Sequence, residues 1–175
     1  MAKNFPPLLI RYLKMYQDNP SSKIFAPLAE SYRKIGLIDE AIEICKEGLN
    51  IHPDFTGGKV ALARAYFDKK LFLNVRSVLS PVLDEIADNL IAQKLFAEAS
   101  LQLGHFEDAL RSYKLLLFYY PQDEEVAQMV EELETAHYES GGLVKKNTRP
   151  EKLRKLIKLQ QLLNKVQRAQ GLILT

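Results

Sequence analysis

The chain has 175 residues, enough for one ordinary domain, and is 47% hydrophobic and 26% charged, an ordinary soluble globular balance. No stretch approaches 18 uncharged apolar residues, which argues against a transmembrane helix. The net charge of +2 conceals two unlike parts: residues 145–170 carry nine Lys or Arg against the single acid Glu151, leaving 15 basic and 21 acidic residues elsewhere.

The first predicted element is a helix within residues 1–21. Asn4 followed by Pro6 and Pro7 suits a helix start, and Leu8, Leu9, Tyr12, Leu13 and Tyr16 recur on one face before Asp18-Asn19-Pro20 ends it. Arg11 and Lys14 interrupt the apolar run and no small-residue cleavage site follows, so the segment does not read as a secretory signal. Cys45 has no partner for an internal disulfide, and the expected compartment is a reducing cytoplasm.

From residue 22 onward the same positions return every 34 residues. Leu28, Leu62 and Phe96 form an apolar column, with Ala29, Ala63 and Ala97 beside it. Tyr32 and Tyr66 form a third, in which Ser100 is the odd member. Ala41, Val75 and Ala109 form a fourth, and Cys45, Leu79 and Tyr113 a fifth. Pro53 and Pro121 close the first and third units. A fixed period of this length without insertions marks a solenoid, in which each helical hairpin buries its apolar side only against its neighbours. The units are 22–55, 56–89 and 90–123.

These columns resemble the tetratricopeptide repeat family over residues 22–123. The match rests on Phe25, Leu28, Ala29, Tyr32, Gly36, Ala41, Cys45 and Pro53 in the first unit and on Leu62, Ala63, Tyr66, Val75 and Leu79 in the second. In the third it rests on Phe96, Ala97, Gly104, Ala109, Tyr113 and Pro121. The second unit departs from the pattern, with Lys70 at the turn glycine, Ala87 at the closing proline and Pro81 inside the second helix. An interior proline removes a hydrogen bond and costs roughly 3 kcal/mol, so a kink or early break is expected there. The resemblance implies an all-α superhelix of three hairpins, similar in layout to stand-alone bacterial members of the family.

After Pro121, Val126, Met129, Val130, Leu133 and Ala136 make one apolar stripe, and Glu124, Glu125, Glu131, Glu132 and Glu134 make the rest polar, as a terminal capping helix over 124–140 should be. Residues 141–150 read as a linker. Residues 151–175 hold a further basic helix stopped by Gly171, in which Leu156, Leu159, Leu162, Leu163 and Val166 share a face roughly opposite Arg154, Lys158, Lys165 and Arg168.

No enzyme motif is present: there is no G-x-x-x-x-G-K-[ST], H-E-x-x-H, C-x-x-C or G-x-S-x-G. His52, His105 and His137 stand one near each inter-unit turn and do not suggest a metal site. Cys45 falls in a core column and reads as a buried structural thiol. Gly57-Gly58 and Gly141-Gly142 read as a hairpin junction and a linker. The expectation is therefore no catalytic residue, no metal and no cofactor.

The resemblance implies a concave groove lined by the first helix of each hairpin, and its groove-facing positions fall here on Lys23, Glu30, Arg33, Val60, Arg64, Phe67, Ile91, Lys94, Glu98 and Leu101. Val60, Phe67, Ile91 and Leu101 would form an apolar strip beside Arg64 and Lys94, and large apolar residues off the core columns ask for a partner. No Asn occupies these positions, so a carboxylate clamp for an acidic C-terminal peptide is not expected. For the basic helix the expectation is docking on the acidic body through Leu156, Leu159, Leu163 and Val166, as a cap or as a plug in the groove. Binding to a partner helix or to an anionic membrane surface is the alternative. Nucleic acid is disfavoured, because the body is acidic and the basic helix has no aromatic residue for stacking.

The reading is a non-enzymatic adaptor that binds a peptide or helix of another protein. One alternative is a chaperone of the type III secretion kind, similar in size and repeat number. The other is an architectural subunit that self-associates, or binds a membrane surface, through its basic helix.

Overall fold

The structure is a computed structural model that describes residues 5–139, with side chains to residue 136. The expected linker and the 151–175 segment, with Leu156, Leu159, Leu163 and Val166, lie outside the described residues. Among the described residues all regular elements are α-helices: α1 (Pro7–Asp18), α2 (Phe25–Lys34), α3 (Ile38–Ile51), α4 (Thr56–Asp68), α5 (Phe72–Leu79), α6 (Leu90–Leu103), α7 (Phe106–Tyr119) and α8 (Glu124–Glu139). None of them is long and apolar enough to cross a membrane.

Each helix packs on the next, which makes hairpins of α2–α3, α4–α5 and α6–α7. In addition α2 packs on α4 and α4 on α6, whereas no comparable contact joins α3 to α5 or α5 to α7. The first helices of successive hairpins therefore form the inner layer of a curved array, and the second helices form the outer one. The recurrent columns supply the core: Leu28, Ala29, Ala41, Cys45, Leu62, Ala63, Val75, Leu79, Phe96, Ala97, Ala109 and Tyr113 are all buried. Burial pushes the Cys45 thiol up to about 12, so it stays protonated and unreactive at neutral pH.

The three hairpin turns repeat one hydrogen-bond pattern. Leu37 N donates to Tyr32 O, Leu71 N to Tyr66 O and His105 N to Ser100 O, five residues back in each case. This closure satisfies the last carbonyls of the helix and requires a left-handed residue just before the donor. Gly36 and Gly104 supply it at φ 81°, and Lys70 adopts the same region at φ 61°. The turn geometry is kept in the second unit at the cost of a strained non-glycine residue. Lys70→Gly should raise stability by about 0.5–1 kcal/mol, the left-handed penalty of an L side chain less the extra freedom glycine has when unfolded. An unchanged or lower denaturation midpoint would show that the lysine is held there without strain.

Pro81 has the expected effect on the outer layer. The second helices α3 and α7 run 14 residues, but α5 stops after eight, at Leu79. Residues 80–88 continue as turns, with Val82 N bonded to Leu79 O and Glu85 N to Val82 O, and keep Val82 and Leu83 buried. Asn89 then restarts the helical path, its side-chain oxygen accepting from Ala92 N at 3.1 Å.

Two local expectations are corrected. Gly57 and Gly58 lie in the first turn of α4 rather than in a junction loop, and Gly58 is buried against the Phe25 ring. Leu8 does not share the packed face of α1: Leu9 is buried, Tyr16 packs on the core, and Leu8 is exposed. As an unpaired helix, α1 has α2 to pack on and no hairpin partner of its own among the described residues.

Candidate groove site

Helices α2, α4 and α6 carry nine of the ten candidate side chains and Lys23 stands just before α2, but the structure sorts them into three groups. Val60 and Leu101 are buried within the two apolar clusters and offer nothing to a partner. Inner helices that pack directly on each other leave such positions inside the seam. Phe67 is half-buried and lies edge-on to Phe72 at 5.6 Å, so the expected apolar strip reduces to the half-exposed Ile91. Lys23 places its Nζ 5.1 Å from the Phe55 ring centroid, at the N-terminal end.

The second group neutralises itself. Arg33 donates to both oxygens of Glu30, at 2.7 and 3.0 Å, and to Asp68 at 2.6 Å, and Arg64 adds a 3.0 Å ion pair to Glu30. Hydrogen bonds from Arg33 hold the Glu30 carboxyl below its ordinary value against the opposing effect of burial, with the Arg64 charge assisting. This network ties α2 to α4 and balances two arginines against two carboxylates. Asp68 is itself a groove-facing position of the 34-residue register.

Glu98 stands one repeat beyond Arg64 and two beyond Glu30, yet its environment is the opposite. Burial raises its carboxyl above the ordinary value and Lys94 only partly offsets that. Neither residue makes a hydrogen bond or ion pair with the described residues, and buried Tyr113 on α7 is raised by burial and by the Glu98 charge. The next step of the register reaches α8, at Glu125, Gln128 and Glu132. Gln128 Nε2 donates to Glu132 Oε1 at 2.9 Å, while Glu132 Oε2 is buried without a partner among the described residues. Sequence reasoning that treats α8 only as a cap misses these residues, although counting 34 on from Ile91, Lys94 and Glu98 reaches them.

A pH test separates Glu98 from its column mate. Its folded carboxyl titrates above the unfolded value, so it favours the fold only below the ordinary glutamate range, about pH 4.3, and opposes it as pH rises through the folded value. In the chain cut after Gly142, Glu98→Gln should therefore raise the melting temperature at pH 7 and lose that gain below about pH 4. An equal effect at both pH values would place the carboxylate in water.

Elsewhere, a cleft of about 420 Å³ opens between residues 83–87 and α7, but its Arg111 and Asp84 already pair with each other. Among the described residues no three His, Cys, Asp or Glu gather as a metal would require.

Comparison with protein-family models gives no match, nor does comparison with curated proteins. Solved structures do match. MamA from AMB-1 is 21% identical with a TM-score of 0.65, over 79% of this chain and 84% of that one. The first tetratricopeptide domain of human RPAP3 is 22% identical at 0.56, over 68% and 94%. A tetratricopeptide repeat protein of Parabacteroides merdae is 16% identical at 0.58, over 88% and 64%. At these identities the likeness shows the fold, a tetratricopeptide-type helical solenoid.

Proposed function

We propose that the chain is a non-enzymatic adaptor that holds a peptide or helix of another protein in its groove, and that the half between α6 and α8 does the reading. The observation that carries this is the contrast within one column. Glu30 is saturated by two arginines, whereas Glu98 is desolvated with no cation bonded to it among the described residues, beside the half-exposed Ile91 and the exposed Lys94. A fitting segment presents an apolar side chain to Ile91 and a basic one to Glu98, with apolar burial supplying affinity and charge setting register.

The informative variant is not at Arg64 or Phe67, which the structure commits to Glu30 and Phe72. Ile91→Asp removes the exposed anchor while leaving the buried columns intact. Affinity capture from the source cell with the full chain should lose its specific proteins in this variant, with helicity and melting preserved. Equal recovery by both chains would remove the groove from consideration.

A further inference from the structure

We propose that residues 151–170 of this chain occupy the groove between α6 and α8 in cis, so that a partner binds by displacing them; this rests on the groove reading above.

The first argument is what α8 leaves open. In the three hairpins, the columns that meet the second helix hold Ala29, Ala63 and Ala97, and then Tyr32, Tyr66 and Ser100. The same positions on α8 are Glu131, which is exposed, and Glu134, which pairs with Lys114 of α7 at 2.6 Å. A helix packing on α8 as a fourth hairpin would press on these two carboxylates. A capping role for 151–170 is thereby disfavoured, and the concave side of α8 remains.

That side has the complementary charge. Glu98 and Glu132 occupy successive positions of one column, each with carboxylate capacity unmet by the described residues. The 151–170 sequence has Glu151 as its only acid and six of the nine basic residues of 145–170. Read as a helix, its Lys158 and Lys165 lie about 100° and 120° from Leu159, bordering the leucine stripe on one side two turns apart. Leu159 and Leu163 would cover Ile91 while the two lysines reach the two glutamates.

The tether permits it. Twelve residue steps separate Glu139 from Glu151, a reach of at most about 40 Å, whereas the 16 residues of α8 span about 24 Å. The segment can run back along α8 to the Glu132 end. A tether this short holds it at about millimolar effective concentration, enough to make modest contacts count.

Hydrogen exchange on the purified full chain tests this without any partner. The 153–166 amides should exchange about a hundredfold more slowly than in the isolated 151–170 peptide. Glu98→Gln with Glu132→Gln, or Lys158→Glu with Lys165→Glu, should return them to within about threefold of the peptide while α2 to α7 keep their protection. Peptide-like exchange in the unmodified chain overturns the proposal. So does protection that survives both double variants, which places the segment elsewhere, or protection that grows with protein concentration, which assigns it to a second copy. Failure here alongside loss of capture by Ile91→Asp sinks the cis occupant and leaves the adaptor reading standing.

Discussion

Phe25→Ala should destabilise the protein by about 3–5 kcal/mol, the range for truncating a fully buried aromatic ring. The ring has no exposed surface and is held on several sides: edge-on to Phe55 at 5.6 Å, parallel to His52 at 6.4 Å, and against the backbones of Gly48 and Gly58. A Cβ added at Gly48 would overlap the ring, and one at Gly58 would come within 2.7 Å of it. Gly48 is a helix-interior glycine, a position that ordinarily favours alanine by about 1 kcal/mol. Here Gly48→Ala should instead cost about 1–3 kcal/mol through overpacking. The same register shows the exchange of volume: where the first unit has Phe25 with Gly48, the second has Lys59 with Val82 and the third Gln93 with Leu116. Urea melts giving Gly48→Ala equal or greater stability would mean the ring is not seated between these helices.

Arg76→Ala should cost about 2–4 kcal/mol, because it empties a partly buried site and strands its partners. The guanidinium donates to Ser100 Oγ at 2.5 Å and to Asp108 at 2.7 Å, and lies 4.9 Å from the Phe96 ring centroid. It joins the outer helix of the second hairpin to both helices of the third, just before Pro81 breaks α5. This explains the odd member of the tyrosine column. Ser100 is fully buried, and a tyrosine there would compete with the arginine for the same space. Ser100→Tyr alone should destabilise by about 1–3 kcal/mol. The Arg76→Ala, Ser100→Tyr double variant should lose at least about 1 kcal/mol less than the sum of the singles, since the new ring fills the vacated site. Strict additivity would show that the two residues are independent.

The groove was less legible than the core, and the reason lies in what each kind of residue needs. A core column is a local demand repeated: an alanine where two helices touch, an apolar residue where a hairpin closes. Ala63 and Ala97 could therefore be placed by spacing alone. A groove residue is defined by what surrounds it. Val60 and Leu101 satisfy the register, yet the seams between packed helices bury them. Arg64 satisfies it too, and its charge is spent on Glu30, a residue 34 positions away.

The sequence by itself determined the all-α class, the 34-residue hairpin period, the positions of the buried columns and the weak point at Pro81. These follow from near-neighbour chemistry: side-chain periodicity, a missing backbone donor, small residues at close approach. It did not determine that Lys70 would take the left-handed turn, because hairpin closure imposes that conformation against the preference of the residue. Nor did it show that Glu30 and Glu98, the same residue type in the same column, would titrate in opposite directions. That difference arises because two arginines from α2 and α4 converge on the first, while the packing around α6 and α7 strips water from the second and Lys94 offsets this only in part. Only tertiary structure brings such groups together, since the pairing depends on which helix faces which across the array.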